Sequence, residues 1–283
     1  MRKDGSCVWM VVIRRMICGM EKDMLKGLFT SYTSMVNEQH RLDVIANNLA
    51  NVNTNGYKKE GATSQAFKDV FGIKIKDASE AANLPKKLGI MNMGVKIGEN
   101  YTDYSEGPIK HTNNPFDIAI SGEGFFAVEF TNKAGETSTK YTRDGNFTMN
   151  AEGYLTTQDG DYVLNTRNAR IKLNPNLSAE INAQGEIYQD GNLVSTIGVM
   201  DFDDYNYLEH YGENYFQPVQ DAQAKPATDY KLNVGYLETS NVSVVDEMVN
   251  MIAVQRHYEA NQKVITTYDS SLDIAVNQLG KVQ

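Results

Sequence analysis

The chain has 283 residues, with 27 basic and 36 acidic side chains and an isoelectric point near 5.0. This length fits one large or two modest domains, and the acidic balance argues against a nucleic-acid-binding face. No apolar run approaches the ~20 residues of a membrane span, so an integral membrane protein is not expected. The only cysteines are Cys7 and Cys18, which excludes a disulfide framework and a thiolate metal cluster.

Residues 1–23 differ in composition from the remainder of the chain. They contain the single Trp, both cysteines and a net charge of +2, from five basic and three acidic side chains. The apolar run 8–13 is shorter than the core of a secretory signal, and no small-residue cleavage site follows it. We therefore predict a disordered or wrongly assigned extension over 1–23, with translation starting at Met24.

An N-terminal assembly helix is predicted over 24–57. Mostly apolar residues recur there at alternating steps of four and three, which places them on one side of a helix. The repeat consists of Leu28, Tyr32, Met35, Gln39, Leu42, Ala46 and Leu49. We expect the helix to end in the segment 51–56, because its Asn and Gly residues adopt the left-handed conformation that terminates helices.

A C-terminal assembly helix is predicted over 237–283. Ser243 and Asp246 form the pattern of a capping box, in which each side chain bonds the other residue's backbone N–H. The four–three repeat returns at Met248, Met251, Gln255, Tyr258, Gln262, Ile265, Asp269, Leu272, Val276 and Leu279. Polar residues within such a repeat lower stability but fix register. Two arrangements fit equally: an antiparallel hairpin of the two helices, or seams completed by other copies of the chain.

Between the helices the pattern changes to that of an antiparallel β domain, predicted over 113–236. Short alternating segments are separated by Gly turns, and the Asp-Gly pairs at 144–145, 159–160 and 190–191 are the strongest hairpin signals. The lysine- and glycine-rich stretch 58–112 is predicted as a linker or arm. The predicted fold class is therefore α+β, with long terminal helices that form a coiled-coil-like assembly core and a central antiparallel β domain.

No residue is singled out for catalysis, cofactor binding or metal binding, and no cofactor is expected. The segment 122–127 matches the dinucleotide fingerprint G-x-G-x-x-G/A, but a β-rich run follows it where the fingerprint requires a helix. Its glycines are better explained by a tight turn between strands at 117–121 and 125–130. The four histidines are scattered without the spacing of metal ligands.

Several strings of the sequence resemble those of bacterial flagellar axial proteins, the family of rod, hook and hook-associated subunits. Residues 41–57 are similar to the N-terminal signature, 113–126 and 141–147 to the β-domain motifs, and 238–252 with 255–261 to the C-terminal end. The chain's length favours basal-body rod proteins of the FlgF/FlgG type over the longer hook protein. The residues assigned to these family motifs are Asn47, Asn48, Asn51, Gly56, Pro115, Asp117, Gly122, Gly124 and Phe125.

The resemblance implies a structural subunit of the flagellar basal-body rod, which self-assembles into the axial tube connecting motor to hook for motility. The implied partners are other copies of the chain, neighbouring rod and hook proteins, and the type III export apparatus, with no nucleic acid. The implied location is the basal body, where the rod crosses the cell envelope, after export without a cleaved signal peptide.

The resemblance also favours intermolecular seams over an intramolecular hairpin, because head-to-tail contacts that do not close produce a helical filament. The predicted assembly seam consists of Leu28, Tyr32, Met35, Leu42, Leu49, Met248, Met251, Tyr258, Ile265, Leu272, Val276 and Leu279.

Two other functions stay open on the sequence. One is a wall-remodelling hydrolase associated with the rod, which would need a positioned acid/base pair that the sequence does not reveal. The other is an adhesin or binding module whose helices only dimerise its β domain.

Overall fold

The computed structural model describes residues 5–74, 86–132, 135–212, 214–219 and 222–277. Within these ranges the chain has two α-helices, twenty strands and one 3-10 helix at Tyr205–Tyr207, which confirms the predicted α+β class. Neither of the two described α-helices is both long and apolar enough to cross a membrane. The chain divides into two compact units.

The first unit contains most of both helices and the strands between residues 61 and 100. Helix α1 is Gly5–Ala50, and α2 is Val244–Asn277. The strands are β1 Glu60–Ala66, β2 Val70–Lys74, β3 Lys86–Met91 and β4 Val95–Thr102. Strand β1 pairs with β4, and β2 pairs with β3. The predicted linker 58–112 therefore contains strands. Their alternation of apolar and polar residues is short and is interrupted by lysine and glycine, so the sequence gives only a weak strand signal.

Helix α1 begins earlier than predicted. Residues 5–23 are helical in the structure, residues 1–4 lie outside the described ranges, and a start of translation at Met24 stays a prediction. The physical reason is that this segment contains no proline and is rich in Met, Arg and Lys, which favour helix without any four–three repeat.

The other helix ends follow the predicted signals. Helix α1 ends at Ala50, and Gly56 has a φ of +69° in the segment predicted to terminate it. At the start of α2, the Ser243 hydroxyl accepts a hydrogen bond from the Asp246 N–H at 3.5 Å, the hydroxyl half of the capping box. Asp246 and Glu247 place negative charge in the first turn, where the helix dipole is favourable.

The second unit, from residues 47–60 and 101–247, is the β domain. Its strands are β5 Ile109–His111, β6 Ile118–Gly122, β7 Phe125–Thr131, β8 Thr137–Thr142, β9 Phe147–Met149, β10 Leu155–Thr157, β11 Tyr162–Val163, β12 Ala179–Ile181, β13 Glu186–Gln189, β14 Asn192–Thr196, β15 Val199–Asp201, β16 Leu208–Tyr211, β17 Tyr215–Pro218, β18 Lys225–Pro226, β19 Tyr230–Val234 and β20 Tyr236–Glu238.

The main sheet has the strand order β16-β17-β8-β7-β11-β10-β9, and β15 joins it by pairing with β7 and β18. Strands β12, β13 and β14 form a second sheet, while β6 pairs with β19 and β5 with β20. All of the registered pairs in this unit are antiparallel, as in the predicted β domain.

Strand β7 is the centre of the core. Because neighbouring side chains of a strand point to opposite faces, Phe126 and Val128 enter one apolar cluster while Phe125 and Ala127 enter the other. All four are fully buried. The Phe126 ring contacts Phe147 edge-to-face at 5.0 Å between centroids. A strand buried on both faces explains the continuous apolar run that the sequence shows here.

Two of the three predicted Asp-Gly hairpins are confirmed. The pair at 159–160 connects β10 to β11, and the pair at 190–191 connects β13 to β14 with both residues at positive φ. The prediction at 144–145 is wrong, because the flanking strands β8 and β9 pair with different neighbours. Gly145 instead permits a close approach of two backbones: a Cβ there would lie 1.7 Å from the Ile118 carbonyl oxygen.

The glycines at 122 and 124 connect β6 to β7, so a strand follows them and not a helix. Their φ angles are +106° and +119°, which is the conformation that only glycine adopts readily. Strand β6 pairs with β19 and not with β7. The segment 122–124 is therefore a tight link between two strands that do not pair with each other.

Gly124→Val tests this link. A Cβ at Gly124 would lie 2.8 Å from Cγ1 of Val199, so we expect a loss of about 3–5 kcal/mol in the free energy of unfolding, from backbone strain plus overpacking. Gly160→Val is the matched control, since Gly160 also has positive φ but no atom within 4 Å of its Cβ position, and it should cost only about 1–2 kcal/mol. Urea unfolding measures both. Equal losses would contradict the steric explanation.

Candidate assembly site

Three distant segments of the chain meet at a buried ionic junction, formed by Lys58, Arg143 and Glu238. The Lys58 ammonium lies 2.5 Å from Oε1 of Glu238, and Nη1 of Arg143 lies 3.5 Å from Oε2 of the same carboxylate. All three side chains are almost completely buried. Each comes from, or directly follows, one of the strings that resemble the flagellar axial family, so the junction joins the N-terminal, central and C-terminal motifs.

Hydrogen bonds to backbone groups complete the junction. Lys58 also donates to the Ser105 carbonyl at 2.7 Å, and Oε1 of Glu238 accepts from the Gly107 N–H at 3.0 Å. Arg143 donates through Nη2 to the Gly122 carbonyl at 2.8 Å. Burial lowers the pKa of Lys58, and the neighbouring Glu238 carboxylate opposes that shift. With two cations on one anion, removal of the carboxylate leaves both cations uncompensated.

Asn48 fixes the path of the chain after α1. Its side-chain amide donates to the Glu60 carbonyl at 2.8 Å and accepts from the Glu60 N–H at 3.0 Å, as a neighbouring strand would. The Tyr57 hydroxyl donates to the same Asn48 oxygen at 3.2 Å. Burial raises the pKa of Tyr57 to about 12. The other two asparagines of this motif bond each other: the Asn51 side chain donates to the side-chain oxygen of Asn47 at 3.0 Å.

Gly56 allows the backbone to approach the central motif. Its N–H donates to the Glu238 carbonyl at 2.9 Å, and a Cβ there would lie 2.4 Å from the Asp144 nitrogen. Only glycine fits this position, because its φ is also positive.

The remaining motif residues support the β domain. The Asp117 carboxylate is buried and accepts from the Asn114 amide at 2.9 Å. A Cβ at Gly122 would lie 2.6 Å from the Asp229 carbonyl oxygen, and Phe125 is fully buried below the Arg143 guanidinium, 5.2 Å from its ring centroid. Pro115 is exposed, and nothing in the structure explains its place in the motif.

A polar clamp, formed by Lys59, Asn241 and Glu247, holds the start of α2. The Asn241 side chain accepts from the Lys59 N–H at 2.8 Å and donates to the Asp103 carbonyl at 2.9 Å. The Lys59 ammonium lies 2.6 Å from Oε1 of Glu247, a buried residue in the first turn of α2. The clamp and the junction were not predicted, because their only signal in the sequence is that charged residues stand inside or beside the motif strings.

The predicted seam on α2 is divided between two faces. Met251, Tyr258 and Ile265 are half-buried, and they belong to a stripe that continues through Val254, Asn261 and Tyr268. Met248, Leu272 and Val276 are exposed, and Leu279 lies outside the described residues. The four–three repeat alone did not separate these faces, because its steps average 3.5 residues while a helical turn has 3.6.

The α1 members of the predicted seam are half-buried or exposed in the single chain. Leu28, Met35, Leu42 and Leu49 are half-buried, and Tyr32 is 60% exposed. The two helices touch within the first unit: a Cβ at Gly27 would lie 2.3 Å from the Tyr268 hydroxyl. The half-buried stripe of α2 thus faces α1 of the same chain at this point.

An exposed apolar patch remains on α2, formed by Met248, Val249 and Ile252, which we call the α2 patch. Their exposed fractions are 51%, 60% and 54%. Spacings of one, three and four residues place them on one side of the helix. Large exposed apolar side chains in a cluster mark interaction surfaces. On α1, Phe29, Tyr32 and Val36 are similarly exposed at helical spacing.

The described residues include no group of three His, Cys, Asp or Glu side chains that could hold a metal ion. Among the histidines, His40 bonds the Asn100 side chain at 2.9 Å, and His210 contacts the ring of Tyr57 edge-to-face. These contacts are those of packing and surface residues.

Comparisons with known proteins place similarity along most of the chain. Family models match residues 30–58 (flagella basal body rod protein), 119–189 (flagellar hook protein FlgE/F/G D1 domain) and 233–279 (flagellar basal body rod FlgEFG protein C-terminal). The flagellar basal-body rod protein FlgF of Caulobacter vibrioides is 33% identical over 264 residues, which cover 92% of this chain and all of that protein.

Two proteins of Bacillus subtilis give similar results. The flagellar basal-body rod protein FlgG is 34% identical over 275 residues, covering 90% of this chain and 99% of that protein. The flagellar hook-basal body complex protein FlhO is 30% identical over 272 residues, covering 92% of this chain and all of that protein.

Glu238→Gln tests the ionic junction. It leaves Lys58 and Arg143 buried without a counter-charge, so we expect a loss of about 3–5 kcal/mol in the free energy of unfolding. Glu129→Gln is the matched control, because Glu129 makes a bidentate pair with the exposed Arg170, and it should cost less than about 1 kcal/mol. Urea denaturation measures both variants. Similar losses would contradict a dominant role for the junction.

Asp144→Asn tests a pH effect. Burial raises the Asp144 pKa from 3.8 to about 6; the Asn146 N–H opposes this, while Asp159 and Asp117 add to it. Between about pH 4 and 6 the folded chain therefore holds a proton that the unfolded chain has lost, and this residue's contribution to stability falls as pH rises.

At pH 7 the variant should exceed the wild type in stability by about 2–3 kcal/mol, and the difference should shrink towards zero below about pH 4. Asp203→Asn, at an exposed side chain paired with Lys225, is the control and should show no such change. A difference for Asp144→Asn that stays constant with pH would contradict the assignment.

Proposed function

Because the chain belongs to the flagellar basal-body rod protein family and is a structural subunit of the rod, we propose that its terminal helices supply the surfaces through which copies assemble. The observation that carries this proposal is the α2 patch, whose three large side chains are more than half exposed in the single chain. Full burial of such side chains stabilises an interface by about 1.5–3 kcal/mol each.

In this proposal the two faces of α2 make different contacts. The half-buried stripe through Met251, Tyr258 and Ile265 packs within the subunit, and the α2 patch packs against a neighbouring copy. Exposed Phe29 and Tyr32 on α1 offer a second surface of the same character. A contact between different surfaces of successive copies extends a helical tube when its rotation does not close into a ring.

The coiled-coil-like core belongs to this proposal as well. Gln255, Gln262 and Asp269 are exposed on α2, where hydrogen bonds to a neighbouring helix would fix the register of packing. Polar residues at such positions lower affinity but select one alignment among several. We include Leu272 and Val276 among the residues that a neighbour covers, because both are exposed in the single chain.

The remaining partners follow from the family. We propose contacts with other rod proteins and with the hook, and passage through the type III export apparatus without a cleaved signal. Support comes from composition: no cysteine follows Cys18, so oxidation outside the cell cannot cross-link most of the chain. We also propose that the subunit acts without catalysis.

Ile252→Asp tests assembly through the α2 patch. Ile252 is exposed in the single chain, so the thermal stability of the isolated variant should change by less than about 0.5 kcal/mol. In an assembled rod the carboxylate would be buried without a partner, which is costly. We expect rods that stop at this subunit, seen by electron microscopy of basal bodies, and loss of swimming.

Asn250→Asp is the matched control, since it adds the same charge one half-turn away on an exposed position of α2. It should assemble normally. Normal rods in the Ile252→Asp strain would refute the role of the patch, and failure of both variants would show that any added charge on this helix blocks assembly.

A further inference from the structure

A polar cleft opens in the second unit, between the loop that follows α1 and turns of the β domain. Its volume is about 300 Å³, and ten residues line it. Among them are Asn53 and Asn55 after α1, Asp144 after β8, Gln158 and Asp159 between β10 and β11, and Tyr215 on β17. Every lining side chain can form hydrogen bonds, and none is cationic or aliphatic.

The walls of the polar cleft are fixed by internal hydrogen bonds. The Thr142 hydroxyl donates to the Asn214 carbonyl at 2.8 Å and accepts from the Asp144 N–H at 3.0 Å. The Tyr215 hydroxyl donates to the Asp161 carboxylate at 2.8 Å. A ligand therefore meets a preformed site, and binding does not require ordering of these walls.

Other lining groups have unused hydrogen-bonding capacity. The carboxamides of Asn53, Asn55, Gln158 and Asn214 make no hydrogen bond to any described residue, and Oδ1 of Asn214 is buried. Each carboxamide can donate and accept at once. Asp144 and Asp159 add carboxylate oxygens. Oδ1 of Asp144 accepts from the Asn146 N–H at 3.0 Å, and Oδ2 of Asp159 lies 3.3 Å from the Tyr215 hydroxyl, whose proton goes to Asp161.

This chemistry selects among ligand classes. The lack of a cation excludes phosphates and other anions, and the lack of aliphatic walls excludes lipids and apolar molecules. An ammonium ligand only donates, so it offers no acceptor to the N–H groups of the free carboxamides. A ligand with several neighbouring hydroxyl groups both donates and accepts hydrogen bonds. Such a ligand can donate to the carboxylates of the cleft and can both donate to and accept from its carboxamides.

We propose that the polar cleft binds a neutral saccharide, held by the carboxamides of Asn53, Asn55 and Gln158 and by the carboxylates of Asp144 and Asp159. This binding activity goes beyond assembly and does not depend on the α2 patch. A small, open site of hydrogen bonds alone gives weak affinity, with a Kd of about 1–10 mM.

The test is a titration of the full-length chain with maltotriose, cellotriose and chitotriose, followed by heteronuclear NMR. We expect at least one of these trisaccharides to shift the amide signals of residues that line the cleft. The double variant Asn55→Ala with Gln158→Ala should weaken this binding at least about tenfold, because it removes two of the three carboxamides that we assign to the saccharide. Gln223→Ala, an exposed carboxamide outside the cleft, is the control and should bind as the wild type.

A titration with the polyamine spermidine and the variant Asp159→Asn together distinguish saccharide binding from cation binding. A saccharide should still bind Asp159→Asn within about threefold, because an amide oxygen continues to accept hydrogen bonds. No cleft shifts with any trisaccharide up to about 50 mM, or equal binding to the double variant, would overturn the proposal. Cleft shifts with spermidine that Asp159→Asn abolishes would identify a polyamine site in its place.

Discussion

The buried ion pair between Lys58 and Glu238 is the constraint on which the rest of the β domain depends. Both charges are removed from water, which is costly unless geometry and additional hydrogen bonds compensate. Here two carbonyl or N–H partners from residues 105 and 107 complete the pair, and Arg143 adds a second cation from the central motif. The chain entering from α1, the β8–β9 loop and the chain leaving towards α2 are thereby held together at one point.

The position of this junction explains several features of the backbone around it. Gly56 must be glycine because the chain passes against the backbone of residues 143 and 144 on its way to Lys58. Asn48 closes the same region by bonding both backbone groups of Glu60, and Asn241 bonds the backbone at Lys59. The site depends on matched shape and hydrogen bonding, and its members come from, or directly follow, the motif strings of the sequence.

Sequence reasoning recovered the features that depend on local order. The two helices followed from periodicity, and the hairpins at 159–160 and 190–191 followed from Asp-Gly pairs that favour positive φ. The hairpin predicted at 144–145 is wrong. Glycine is needed at 145 because the Ile118 carbonyl leaves no room for a Cβ, and not because of a hairpin turn. The ionic junction escaped because no periodic pattern links its members. The division of α2 into two faces needed α1 to be in place, since burial of one stripe is a tertiary effect.

The long separation within the junction has a consequence for how the polypeptide matures. Lys58 and Glu238 are 180 positions apart in the sequence, so a ribosome must make most of the chain before the two charges can meet. Contacts this distant form slowly, because a large loop must close first. Until then the lysine stays hydrated, and the N-terminal motif lacks its link to the C-terminal motif. A newly made subunit therefore forms this ion pair only after nearly all of its chain has been synthesised.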